Sequence, residues 1–379
     1  MAPLSEVSPR RRAVSPRPHR RTLSGNSTGS TEVETARQTA RQPNDERKIR
    51  KPVSKQHFPV LKEHQVVFTP LVTMICVALL VWEFSANGWQ MQPLKENPSV
   101  GPSLETLIAC GAKETSLILD GETWRLFSAM FLHAGIVHIL LNMLGFLNIG
   151  YTLEYVYGPL KLATIYLMSG LYGTIVSAVF LPEIVMVGAS GAILGVFGAL
   201  WADILNNWGV YINTKKAILI LLVLTSANVI LGFMPYLDNF AHLGGMVMGF
   251  CVGLALLVHK REDVTGKAVA CPKYHYITRL FGAVAAVGLF VITLMALYAK
   301  DFDINEKCGW CMSLSCIPFP PGDNPWWQCD ECHSVGFYVS YFGNGTVIMS
   351  CPDATEVVTD ICQGTDLDSL TSCCQVVCL

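Results

Sequence analysis

The chain has 379 residues, of which 51% are hydrophobic and 15% charged, with a formal net charge of −2. Its mean hydropathy is positive. That balance excludes an ordinary soluble globule, and without a basic excess no nucleic-acid partner is expected.

Residues 1–57 are rich in Arg, Ser and Pro and nearly free of large apolar side chains. Such a segment cannot bury a core, so it is expected to be a disordered basic tail. Ser8-Pro9-Arg10-Arg11 and Ser15-Pro16-Arg17 read either as phosphorylation or lipid-attracting sites or as part of a solvated tail that sets topology. The acid-free stretch from Val7 to Thr31 faintly resembles an organelle transit peptide. No secretory signal is visible, because the first apolar run follows about sixty residues of polar chain.

Seven stretches then reach the roughly 20 apolar residues that a membrane helix needs. They lie near Val67–Phe84, Val137–Leu153, Leu160–Phe180, Ala189–Leu205, Lys216–Met234, Ala241–Val258 and Leu280–Tyr298. Residues 58–300 therefore read as an all-α polytopic membrane domain. Lys161, the pair Lys215 and Lys216, and the group Lys260, Arg261, Lys267, Lys273 and Arg279 fall in alternate connections. The connections around Leu181–Val187 and Pro235–Phe240 carry no Lys or Arg. Short basic loops stay in the cytoplasm, so the N-terminus is expected there and the C-terminus in a lumen or outside the cell.

Residues 301–379 carry a charge of −10 and ten of the fourteen cysteines. An even, dense cysteine set on that side predicts a small module with five disulfides in an oxidising compartment. Asn344-Gly345-Thr346 is a glycosylation acceptor on the same side. The rival is a zinc ribbon from Cys308-x2-Cys311 and Cys329-x2-Cys332. The predicted compartment, and six further cysteines that zinc leaves unexplained, favour disulfides.

Two short motifs carry chemistry. Gly188-Ala189-Ser190-Gly191 opens the fourth span, and Ala241-His242-Leu243-Gly244-Gly245 opens the sixth. Gly191, Gly195 and Ala199 share one face of the fourth span; Gly245, Gly249 and Gly253 share one face of the sixth. Small residues let membrane helices approach closely. Close approach would bring the Ser190 hydroxyl to the His242 imidazole, the couple that activates a serine nucleophile. Packing alone would not explain why a serine and a histidine head these two faces. Gly-x-Ser-x-Gly on a strand–turn–helix is absent, which excludes the α/β-hydrolase elbow. Asp238 precedes His242 by four residues, but nothing makes it a third member, so a dyad is the simpler reading. On the second span His138 and Asn142 share a face. With the Ser190 N–H they are candidate donors to the oxyanion formed when a peptide carbonyl is attacked, beside the positive end of a helix dipole. His133 stays open between this role and a packing hydrogen bond.

Together, Glu122-Thr123-Trp124-Arg125, Phe131-Leu132-His133-x4-His138-x3-Asn142, Gly188-Ala189-Ser190-Gly191 and Ala241-His242-x2-Gly245-x3-Gly249 resemble the rhomboid intramembrane serine proteases. The resemblance covers Trp124–Val258 and the seventh span. It implies a six-helix core with one helix appended at the C-terminal side, as in the secretase-type members of the Golgi or plasma membrane. It also implies Ser190 as nucleophile, His242 as general base, and His138 and Asn142 as oxyanion donors. Trp124, Arg125, Glu154 and Gly158 would be structural. Substrates would be single-span membrane proteins cut near the lumenal end of their helix within the lipid bilayer, with no metal, nucleotide or other cofactor. Where some members have an aromatic residue four positions after the nucleophile, this chain has Leu194. The rival readings are a catalytically silent relative that binds membrane clients for trafficking, and a transporter. Silent relatives lack the serine or the histidine. A transporter would show broken helices or mid-membrane charge pairs, whereas the acids here, such as Glu83 and Asp203, lie near span ends.

Overall fold

The computed structural model describes residues 63–94, 97–182, 184–234, 237–259, 270, 272–299, 308, 311–317 and 319, and the backbone of 58–59, 261–262, 268–269, 338–341, 347–350 and 356–359. The N-terminal tail to residue 57, Asn344, and the cysteines from Cys329 onward lie outside the described residues.

In chain order the helices are α1 Phe68–Ala86, α2 Leu104–Cys110, α3 Thr115–Leu119, α4 Arg125–Ser128, α5 Ile136–Tyr157, α6 Pro159–Phe180, α7 Ser190–Asn206, α8 Thr214–Leu231, α9 Asn239–Leu256, α10 Lys273–Leu297 and α11 Met312–Ser315. Six of them (α1, α5, α6, α8, α9 and α10) are long and apolar enough to cross a membrane, and α7 is an apolar helix one residue shorter than the shortest of these. The chain is a polytopic, mainly helical membrane protein, with a helix at each of the seven expected spans. Two small antiparallel sheets join Phe58–Pro59 to Arg261–Glu262 and Ala268–Val269, and Tyr338–Tyr341 to Val347–Ser350 and Glu356–Thr359.

The core forms where α6, α7 and α9 meet. On α7 every residue from Gly191 to Ala199 is buried. A 17-residue helix is only about 26 Å long, less than the ~30 Å of a bilayer's hydrocarbon. The glycine rows do what their spacing predicts. A Cβ on Gly249 would overlap the Gly195 carbonyl, and one on Gly245 the Gly191 carbonyl. The two backbones touch along their length, which any larger side chain would prevent.

Helix α1 is tied to α5 by one carboxylate. Glu154 accepts the N–H groups of Val67, Phe68 and Thr69 at 2.7, 2.6 and 2.8 Å and the Thr69 hydroxyl at 2.7 Å. It thus caps the otherwise unpaired N-terminus of α1 from another helix. Gly158, four residues on, has φ +88° and turns the chain into Pro159 at the start of α6. Glu154→Ala should leave these donors without their acceptor, the two of Thr69 buried, and cost about 1–3 kcal/mol. Thermal unfolding in detergent checks this: a large drop in midpoint is expected, and an unchanged midpoint would remove the cap from the account.

The long connection from α1 to α5 is itself folded. Arg125 is buried, donating from Nη1 to the carbonyls of Ile108 and Ala112 at 2.6 and 3.0 Å and from Nε to Glu122 at 2.6 Å. The Trp124 ring stacks under its guanidinium and fills the space over Gly111. Helix α10 begins at Lys273, seven residues before the hydropathy boundary at Leu280. Its polar first turns form because they dock on the end of α7: His275 Nε2 and the Tyr274 hydroxyl lie 2.9 and 3.3 Å from the Asn206 carbonyl. Helix α8 is the loosest span, with Leu221 its single buried residue among those described.

Candidate active site

Ser190 is the first residue of α7, and His242 lies in the first turn of α9, capped by Asp238, whose carboxylate accepts the Ala241 N–H at 2.8 Å. The α7–α9 glycine contact places both at one pole of the helix bundle. His242 is buried, Ser190 half-buried. No hydrogen bond joins them among the described residues, and the buried His242 Nδ1 has no partner. Catalytic hydrogen bonds are often long in a free enzyme and tighten with substrate.

The segment leading to Ser190 is clamped. The Gly188 N–H donates to the Ala129 carbonyl at 2.9 Å. Lys113 and Met186 exchange two backbone hydrogen bonds, at 2.9 and 3.1 Å. The Lys113 ammonium, fully buried, donates to the carbonyls of Leu181 and Ile184 at 2.6 Å each. Gly188 itself has φ +132°, a conformation that favours glycine.

His138 and Asn142, on the first two turns of α5, meet the chain at this glycine. A Cβ on Gly188 would lie 2.7 and 2.9 Å from Cε1 and Nε2 of His138, and 3.7 Å from the Asn142 amide nitrogen. The Ala134 N–H points at His138 Nδ1 from 3.4 Å. That contact makes Nδ1 the acceptor and leaves the proton on Nε2, toward Gly188. The Asn142 amide nitrogen is buried without a partner.

His133 sits behind this pair. Its ring packs edge-on against His138 with centroids 5.3 Å apart, its Nδ1 is 3.2 Å from the Phe131 carbonyl, and its N–H donates to Glu83 at 3.2 Å. Burial, with His138 alongside, pushes its pKa down to about 3, so it is a neutral ring. Leu194 is buried one turn into α7. Sequence reasoning missed Glu83 and Lys113 as parts of the scaffold. A lone lysine in an extramembrane loop reads as solvated, and only the apolar run around Glu83 hinted at burial.

A family model described as Rhomboid domain matches residues 120–259, which contain every residue just described except Lys113 and Glu83. RHOMBOID-like protein 6, mitochondrial, of Arabidopsis thaliana is 39% identical over 254 residues, spanning 64% of this chain and 81% of its own. RHOMBOID-like protein 2 of the same plant is 41% identical over 251 residues, spanning 64% and 77%. The chain belongs to the rhomboid family. This rhomboid is also similar to a protein named as inactive: Inactive RHOMBOID-like protein 8 of Arabidopsis thaliana is 28% identical over 272 residues, spanning 68% of this chain and 74% of its own. Family membership thus carries the membrane-embedded protease-type fold, and leaves activity to be argued from the side chains.

Proposed function

We propose that this rhomboid is an intramembrane serine endopeptidase with a Ser190–His242 dyad. The observation that carries the reading is the convergence at one pole of a helix-initial serine, a buried histidine with a free ring nitrogen, and two side-chain donors over Gly188. In the proposed reaction His242 takes the proton of the Ser190 hydroxyl as the oxygen attacks a peptide carbonyl. The developing oxyanion is met by His138 Nε2–H, the Asn142 amide and the Ser190 N–H, assisted by the positive end of α7. His242 then returns the proton to the leaving amine, and water releases the acyl group by the same relay. None of these steps calls for a metal or organic cofactor.

Substrates in this reading are single-span membrane proteins whose helices unwind near the lumenal end. Entry is from the bilayer beside the loosely packed α8. The test is a single-span reporter co-reconstituted with the rhomboid in liposomes. Fragments from a cut within or next to its span are expected; an intact reporter would favour the client-binding reading, which the inactive relative's name supports.

The proposed domain division is a basic cytoplasmic tail (1–57), the seven-span domain (58–300) and a lumenal Cys-rich module (301–379), in the Golgi or plasma membrane. The charge distribution supports it. Asn344 should then carry a glycan, read by a gel shift on glycosidase treatment; an unshifted band would place the C-terminus on the other side.

A further inference from the structure

The first turn of α9 holds two buried polar atoms without partners: the carboxylate oxygen Oδ2 of Asp238 and the ring nitrogen Nδ1 of His242. Asp238 is 9% exposed and His242 6%. The two atoms are complementary, because a carboxylate oxygen accepts and Nδ1 can carry a proton. They also belong to successive levels of one helix turn. Asp238 is the N-cap of α9, and its Oδ1 accepts the Ala241 N–H at 2.8 Å. The His242 N–H donates to the Asp238 carbonyl at 3.2 Å, which sets the histidine one turn above the cap. Helical side chains lean toward the N-terminus, over the turn before their own. The imidazole is thereby carried back toward the carboxylate, whose charge acts on it. The turn is also confined. A Cβ on Gly173 would lie 2.6 Å from the Ala241 carbonyl and one on Gly191 3.1 Å from it, so α6 and α7 both press on α9 between Asp238 and His242. Capping accounts for Oδ1 alone. Asparagine or serine would cap as well, so the second carboxylate oxygen calls for another role.

We propose that Asp238 is a positioning residue for the general base: it holds the His242 proton on Nδ1, leaves Nε2 bare for Ser190, and closes on Nδ1–H as the imidazolium forms. Its effect on rate rests on the protease reading; its hold on the ring does not. In the acylation step the Ser190 oxygen bonds to the peptide carbonyl carbon and its proton passes to Nε2. The ring then carries a proton on each nitrogen and one positive charge. Asp238 Oδ2 accepts from Nδ1–H and itself stays unprotonated, so the new charge is balanced within the turn. Nε2 afterwards gives its proton to the leaving amine. The opposite tautomer would present Nε2–H to Ser190 and could not take the proton. Ser190 and His242 remain the reacting pair, and Asp238 acts through the histidine.

The test is Asp238→Asn in the full-length protein in liposomes. Asparagine keeps the cap through its side-chain oxygen but turns an amide N–H toward Nδ1, which favours the wrong tautomer. The kcat should fall about 10²–10⁴-fold, with KM and thermal midpoint close to wild type. Nitrogen NMR of isotope-labelled histidine, with the His242 signal identified by its loss in His242→Ala, should show the proton move from Nδ1 to Nε2. Asp238→Ser caps the helix without opposing Nδ1 with a donor, so it should lose less. A cap and nothing more predicts wild-type kcat per folded molecule in both variants. That result, or the same His242 tautomer in wild type and Asp238→Asn, overturns the proposal. If the wild type cleaves no reporter and Ser190 takes no fluorophosphonate, the protease reading fails, and the tautomer comparison still decides whether Asp238 fixes the ring.

Discussion

Ser190→Ala and His242→Ala are each expected to reduce cleavage of a single-span substrate by about 10⁴–10⁶-fold, below detection in most assays. The fold should survive, for reasons visible at both positions. The Ser190 hydroxyl makes no hydrogen bond among the described residues, so its loss leaves no donor or acceptor stranded, and alanine is a good helix former at the head of α7. The His242 Nδ1 is already unpaired, so removing the ring costs packing and not a hydrogen bond. Thermal midpoints close to the wild type, alongside abolished cleavage, are the expected pair of results. Persisting cleavage in Ser190→Ala would mean another nucleophile.

Asn142→Ala should separate activity from stability in the opposite sense to a structural residue. Losing one oxyanion donor typically lowers the rate by about 10²–10³-fold. The Asn142 amide nitrogen, however, is buried without a partner in the free protein. Removing it relieves a desolvation cost of about 1–3 kcal/mol, partly offset by the small cavity left behind. Little change or a gain in thermal midpoint is expected with the fall in rate. If Asn142 instead served helix packing, the midpoint would fall and the rate per folded molecule would hold. His138→Ala should lose rate similarly, because the Ala134 N–H leaves its Nε2 proton directed at Gly188.

The parts of this protein that were legible from sequence are those governed by local period and composition. Apolar length located a helix at each of the seven expected spans, six of them long enough to cross a membrane, and spacing of four in Gly191, Gly195 and Ala199 against Gly245, Gly249 and Gly253 anticipated the α7–α9 contact. Helix α10 starts before the expected span because hydropathy marks the bilayer and not the helix: the turns from Lys273 to Arg279, with Ile277 their one aliphatic residue, are helical and docked on the Asn206 carbonyl. Contacts across long sequence separations were not legible. The Glu154 cap on α1 crosses 85–87 residues, and the Lys113 clamp on the α6–α7 connection 68–71. Neither has a local signature. Asp203, which reads as an acid near a span end, is buried at the opposite pole, accepting from the hydroxyls of Tyr157 and Tyr211 and from the Asn207 amide. The Cys-x-x-Cys spacing at Cys308 and Cys311 suited half of a zinc ribbon, and the favoured disulfide reading left the pairing open. The structure pairs them with each other.

The central claim is that Ser190 is a nucleophile activated by His242 inside the membrane. Labelling with a fluorophosphonate, which reacts with activated serines, tests it without knowledge of the substrate. Wild-type protein in liposomes is treated with the probe, digested and mapped by mass spectrometry. The account predicts one adduct, on Ser190, lost in His242→Ala. An unlabelled Ser190 in protein that cleaves a reporter, or equal labelling of Ser190 in wild type and His242→Ala, would contradict it.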